Sequence, residues 1–267
     1  MNETVTQTSK ILSRKEAGVG YLIFNNPERH NAMSLEMWDG TRRVLDDFEK
    51  DPAVRVVVLT GAGGKAFVSG ADISEFEKLR SSQELIEKYN AVSDKAFTGI
   101  NDFPKPTIAM IRGYCIGGGL GLAVCTDLRI CSDNSRFGIP AAKLGLGYGY
   151  VGVKRLVDLV GPSFAKEIFF TARQFDAQEA HQMGLVNRVV PAAELETYVK
   201  TCAETISANA PLTVHAVKVT VAEAIKEDSQ RNVALAEELV QKCYASNDYK
   251  EGRRAFMEKR KPVFTGT

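Results

Sequence analysis

The chain has 267 residues, 44% of them apolar and 25% charged, with a net charge of +1. That length supports a large buried core, as one large domain with an appendage or two modest ones, and the near-neutral balance excludes an overall basic field for nucleic acid or an anionic membrane. Apolar runs such as residues 54–60 are far too short to span a bilayer, and the opening MNETVTQTSK lacks the apolar stretch of a secretory signal.

The five cysteines are odd in number and form no CxxC, which argues for a reducing cytoplasm over a disulfide framework. His30, His181 and His215 are scattered and match no metal-ligand spacing.

After a polar tail, residues 11–15 and 19–24 read as a hairpin around Ala17-Gly18. Asn25-Asn26-Pro27 ends it. A helix is expected over 35–49 with Ser34 as N-cap. Residues 54–60 (VRVVVLT) form a β-branched run suited to a strand buried on both faces. Gly61 to Gly64 turns the chain, and 67–71 is a second short extended piece. Residues 83–100 read as helix, broken by Pro104 and Pro106, then 107–111 as strand. Gly117-Gly118-Gly119 opens a helix to about Thr126, and 128–131 is again a strand. Strands alternating with helices predict an α/β fold of stacked strand-strand-helix units. From residue 192 the pattern is helical: 193–209, 211–226, 228–245 and 249–259. The expected division is a core over 1–191 and a helical region over 192–267 whose apolar faces need a partner.

Three segments can carry chemistry. In KAFVSGAD (65–72) a strand ends at Gly70, and the backbone amides of Gly70 and Ala71 face a cleft unless the turn is ordinary. In RGYCIGGGLGLAVCTD (112–127) three glycines at a helix start leave amides unpaired under the positive end of the helix dipole. Such a place binds a phosphate, stabilises an oxyanion, or simply packs a helix closely on a strand. No Gly-Lys-Ser/Thr follows, so it is not a Walker loop, and the acidic partner of a dinucleotide fingerprint is missing. In FGIPAAKLGLGYGYVG (137–152) a glycine-rich loop carries Tyr148 and Tyr150, which either hydrogen-bond a substrate or fill the core.

Together with FNNPERHNAMS, AQEAHQMGLVNRVVP and the terminal EGRRAFMEKRKPVF, these blocks resemble the crotonase (enoyl-CoA hydratase/isomerase) family over almost the whole chain. The resemblance implies a crotonase-like spiral of strand-strand-helix turns with a C-terminal helical region for trimers or hexamers. It implies an acyl-CoA substrate that brings its own coenzyme A, with no permanently bound cofactor. The thioester oxygen would lie between the amides of Ala71 and Gly118. The surrounding substrate-binding set would be Ala66, Gly70, Asp72, Ile73 and Gly117, with Arg29 near the CoA phosphates. Phe256 and Lys259 would reach the adenine side of a neighbouring subunit.

The match fails at two positions. Where the family's hydratases carry glutamates, this chain has Gly121 and Ala141, and neither can activate water or move a proton. An enolate can still form by proton loss, decarboxylation or retro-aldol cleavage. Tyr148 falls where the methylmalonyl-CoA decarboxylases of the family place a tyrosine, and where the dihydroxynaphthoyl-CoA synthases place an aspartate. Tyr244 lies near a C-terminal tyrosine of the latter. Glu75, Glu77 and Lys143 are further candidate acids or bases, and Asp72 reads as a structural partner for local amides or a cation. Three functions follow: an enolate-forming acyl-CoA hydratase/isomerase-type enzyme, a malonyl-type decarboxylase or C–C lyase using Tyr148, and a CoA-ester binder without chemistry.

Overall fold

The computed structural model describes residues 3–5, 9–75 and 81–267. β2 (Ile11–Glu16) and β3 (Val19–Phe24) form the expected hairpin. Ala17 (φ 49°) and Gly18 (φ 80°) are both left-handed, as a two-residue turn requires to match strand twist. The stretch read as a polar tail contributes an edge strand, β1 (Glu3–Val5), antiparallel to β2. α1 (Leu35–Lys50) begins at Ser34, whose hydroxyl accepts the Met37 amide.

Three strand-strand-helix turns follow. The first is β4 (Val56–Gly61), β5 (Ala66–Val68) and α2 (Gln83–Asn101). The second is β6 (Thr107–Ile111), β7 (Tyr114–Ile116) and α3 (Gly118–Val124). The third is β8 (Leu128–Ser132), β9 (Arg136–Gly138) and α4 (Tyr150–Thr171). β10 (Phe175–Asp176), α5 (Ala177–Gln182) and β11 (Arg188–Val190) close the spiral. The first strand of each turn enters a seven-stranded sheet ordered β1-β2-β3-β4-β6-β8-β11, and the second enters a four-stranded sheet ordered β10-β9-β7-β5.

The valine run of β4 is apolar throughout because both faces are covered. Val57 and Leu59 point into the core that holds Trp38, Phe67 and Phe137. Val56 and Val58 point the other way, onto Leu195, Val199 and Ala203. Those three residues belong to α6 (Leu195–Ala208), so the first helix past residue 191 covers a sheet face. The next helices are α7 (Pro211–Ala224), α8 (Val233–Ala245) and α9 (Asn247–Met257). They leave Val217, Val221, Val233, Tyr244 and Phe256 exposed.

Five elements depart from the pattern read in the sequence. The glycine-rich segment 137–152 ends in α4, which bends where Gly161 (φ 74°) precedes Pro162. The helix expected from 228 starts at Val233, because Asn232 caps the Leu235 amide after a separate 3-10 turn at Asp228–Gln230. β7, β9 and β11 are only three residues long, too short to show a period.

α3 lies directly on β5. A Cβ at Gly119 would stand 2.1 Å from the Val68 carbonyl oxygen, so helix and strand approach through a missing side chain. Gly119→Ala is expected to cost about 1–3 kcal/mol or more by overpacking. Gly149→Ala, where a Cβ meets nothing within 4 Å, is expected to leave thermal unfolding almost unchanged. Equal melting shifts for the two variants would contradict this packing.

Candidate oxyanion site

The site begins with a bridge of two residues. Met33 pairs with Ala71 in parallel fashion: the Met33 amide donates to the Gly70 carbonyl at 2.8 Å, and the Asp72 amide donates to the Met33 carbonyl at 2.9 Å. In that pattern the neighbours of Ala71 carry both bonds. The Ala71 N–H faces the opposite side and meets no acceptor among the described residues.

On that opposite side stands the start of α3. β5 and β7 are parallel neighbours, with Val68 opposite Cys115, so the turns that follow them emerge side by side. Gly117 is the N-cap, with a positive φ (55°) that suits glycine, and its carbonyl accepts the Gly121 amide at 3.0 Å. Gly118 is therefore the first helical residue, and its amide has no intrahelical acceptor. A Cβ on Gly118 would lie 3.8 Å from the Ala71 nitrogen, and a Cβ on Gly70 would lie 3.9 Å from the Gly118 nitrogen. The two free N–H groups thus flank one small space at a positive helix end, an arrangement that stabilises an oxyanion.

β9 brings the third segment to the same place. The Gly117 amide donates to the Gly138 carbonyl at 2.8 Å, and Pro140 touches the position a Gly117 Cβ would take, at 4.0 Å. Ala141 follows in the 3-10 turn Pro140–Leu144 and is buried. Trp38 borders Gly118, its ring 3.6 Å from the Cβ position, and its Nε1 donates to the Tyr89 hydroxyl at 2.9 Å. Phe97 borders Gly121, with ring carbons 3.1 and 3.4 Å from the Cβ position there. Neither Gly121 nor Ala141 supplies a carboxylate, and an aromatic edge lies against the first of them.

Three of the charged candidates, Arg29, Asp72 and Glu75, are engaged with other groups. Arg29 forks onto Asp72 at 2.8 and 3.1 Å and onto the Ser74 hydroxyl at 2.6 Å, yet its side chain is 54% exposed. Burial alone would raise the Asp72 carboxyl, but hydrogen bonds from Ser74 and from Arg29 outweigh it and hold the group below its ordinary range. Glu75 accepts the Leu35 amide at 3.1 Å and so caps the first turn of α1. Lys143 is exposed and forms no ion pair among the described residues. Ile73 is 60% exposed at the rim. Ala66 is buried, and its carbonyl accepts Asn31 Nδ2 at 2.8 Å. Glu77 lies outside the described residues.

Tyr148 is half-buried, with its ring 5.0 Å from that of Phe169 in an edge contact. Its hydroxyl makes no hydrogen bond among the described residues. Burial, and then the nearby Cys125 thiol, push its phenol up to about 12. The Cys125 thiol itself donates to the Gly121 carbonyl at 3.2 Å. Tyr150, at the start of α4, is 78% exposed.

Phe256 and Lys259 are not brought to the amide pair within the chain. Phe256, 82% exposed, lines a groove of about 870 Å³ with Tyr244, Val217 and Val240, and no residue of the amide pair lines it. Lys259 follows α9, exposed, in a left-handed conformation (φ 54°). No described helix is long and apolar enough to cross a membrane.

A family model described as Enoyl-CoA hydratase/isomerase matches residues 14–267. The chain belongs to the enoyl-CoA hydratase/isomerase family. Among curated members, a crotonyl-CoA hydratase of Syntrophomonas wolfei is 39% identical, over 95% of this chain and 97% of that one. A short-chain-enoyl-CoA hydratase of Clostridium acetobutylicum is 36% identical, over 96% and 97%. The crystal structure of an enoyl-CoA hydratase/carnithine racemase from Magnetospirillum magneticum superposes with a TM-score of 0.93 at 36% identity, covering 98% of this chain and 97% of that one. The crotonase resemblance of the motifs and the spiral fold expected from it are thereby established.

Within this family fold, sequence reasoning missed Met33, Trp38 and Phe97. Trp38 and Phe97 lie on the apolar stripes of α1 and α2, which carry no mark to separate a site wall from ordinary core. The raised Tyr148 phenol gives a direct check. Spectrophotometric titration is expected to show a tyrosine ionising near pH 12 that vanishes in Tyr148→Phe. Because the folded value is raised above the ordinary phenol range, Tyr148 stabilises the fold fully below about pH 10, and that contribution is lost as pH rises towards 12.

Proposed function

We propose that this family member is an enzyme acting on an acyl-CoA thioester, whose carbonyl oxygen is held by the amides of Ala71 and Gly118 as negative charge develops on it. The observation that carries this reading is the pair of unpaired N–H groups at the adjacent carboxyl ends of β5 and β7. Coenzyme A enters as part of the substrate. In this reading Arg29, half exposed beside Asp72, meets its phosphates. The assembly proposed is a trimer or a dimer of trimers in the cytoplasm, formed through the helical region, with Phe256 and Lys259 acting on a neighbouring subunit's ligand. The names of the curated relatives support a hydratase or isomerase reaction, which in this reading passes through a thioester enolate.

A second reading, cleavage of a malonyl-type thioester, is favoured by the state of Tyr148. With glycine at 121 and alanine at 141, no carboxylate stands at either family position. Tyr148, with its phenol near 12, is protonated at neutral pH, so it serves as a proton donor and not as a base. In this reading the bond from the α-carbon to the carboxylate breaks, carbon dioxide leaves, and the electron pair enters the thioester enolate. The α-carbon then takes the phenolic proton, and water restores it to Tyr148.

Gly118→Ala tests the first statement. Its methyl group fits, at 3.6 Å from Trp38, but covers the approach to the Ala71 amide. We expect a 10²–10³-fold fall in kcat with an unchanged melting temperature, and unaltered turnover would refute the oxyanion role. Product analysis with crotonyl-CoA and methylmalonyl-CoA separates the reactions. Carbon dioxide release that falls in Tyr148→Phe supports cleavage, whereas hydration unaffected by Tyr148→Phe assigns Tyr148 to packing.

A further inference from the structure

We propose that Phe97 determines which acyl groups the site admits, acting as the adjustable wall of an apolar acyl pocket that starts at the amide pair. This inference rests on the acyl-CoA reading above. Gly118 and Gly121 are three residues apart on α3 and so share one face of that helix. Two rings run along that face. Trp38 covers Gly118 at 3.6 Å, and Phe97 covers Gly121 at 3.1 Å. The rings touch each other, with centroids 5.1 Å apart and planes inclined by 51°.

The two rings differ in freedom. Trp38 is 2% exposed, and its indole N–H is tied to the Tyr89 hydroxyl at 2.9 Å, so it forms a fixed floor. Phe97 is only half-buried, has no polar anchor, and borders a glycine. A chain extending from a carbonyl carbon held at Ala71 and Gly118 along this face would run beside the carbon surfaces of Trp38 and Phe97. In this proposal the pocket selects apolar acyl groups, and Phe97 sets their limit. Gly121 is part of the same device. A Cβ there would stand 3.1 Å from the Phe97 ring, so side-chain volume at 121 and ring volume at 97 compete for one space.

The test measures affinities of butyryl-CoA and octanoyl-CoA by calorimetry for the intact protein, Phe97→Ala and Phe97→Leu. Neither ester has a double bond or a free carboxylate to react. Each methylene that gains cover is worth roughly fourfold in affinity, so the octanoyl-to-butyryl affinity ratio is expected to rise at least about tenfold in Phe97→Ala. A smaller rise is expected in Phe97→Leu, which keeps the pocket testable if the alanine variant unfolds. Gly121→Ala in the intact background is expected to lower the ratio by pushing the ring into the pocket, and to have no such effect once Phe97 is alanine. Binding of both esters with the same ratio in every variant overturns the role of Phe97 and leaves the acyl-CoA reading standing. Failure of both esters to bind any of the proteins overturns both.

Discussion

A residue at the centre of a parallel bridge lends its neighbours to the partner strand and turns its own amide away. Met33 imposes this on Ala71 through two ordinary backbone bonds of 2.8 and 2.9 Å. The rest of the site depends on it. Were the bridge displaced by one residue, the Ala71 N–H would be consumed by the Met33 strand segment and a different amide would face α3. Met33 is completely buried, so the direction of one N–H bond is set by core packing. The second donor is fixed by a different rule, the shortage of acceptors at a helix start. Parallel pairing of β5 with β7 then delivers both to one place. The spiral repeats this delivery, because each turn ends a short strand of the small sheet beside its predecessor. The carboxyl ends of β5, β7 and β9 thus collect the segments 70–72, 117–121 and 139–141, in keeping with the tendency of open parallel sheets to place ligands beyond their strand ends.

The chemical character of this place is unusual for its charge. Two free N–H groups border it, while Asp72 and Glu75, the acidic side chains beside it among the described residues, are committed. Asp72 is forked by Arg29, and Glu75 caps α1. Among the described residues this leaves two free amides with no carboxylate at positions 121 and 141 beside them. Tyr148, half-buried against Phe169, keeps its phenolic proton at neutral pH and carries no negative charge there.

Much of this was legible in the chain itself. The hairpin at Ala17-Gly18, the Ser34 cap and the valine run of β4 each carry a local rule strong enough to read without tertiary context. The glycine triplet was legible as a helix start with free amides. Of its two competing explanations, close packing holds at Gly119, which meets Val68, while Gly118 supplies one of the two free amides on which the proposed function rests. What could not be read was anything decided across the fold. β7, β9 and β11 are shorter than a pattern. The α4 start is hidden by flanking glycines. Phe97 resembles every other inward residue of α2 until Gly121 is found beneath it. The opening residues read as a tail because polar edge strands lack alternation, and only their pairing with β2 gives them structure.

The loop before α4 leads to a different kind of conclusion. Gly147 and Gly149 stand where a Cβ would meet nothing within 4 Å, and neither has a left-handed backbone. Only Gly145, at φ 60°, is required by conformation. Glycine at 147 and 149 is therefore permitted and not demanded. These positions flank Tyr148, and larger side chains can be exchanged there without rebuilding the core. Such a loop separates stability from variation: the two free amides at 71 and 118 are locked to the ends of paired strands, whereas positions 147 and 149 lie on a segment free to change.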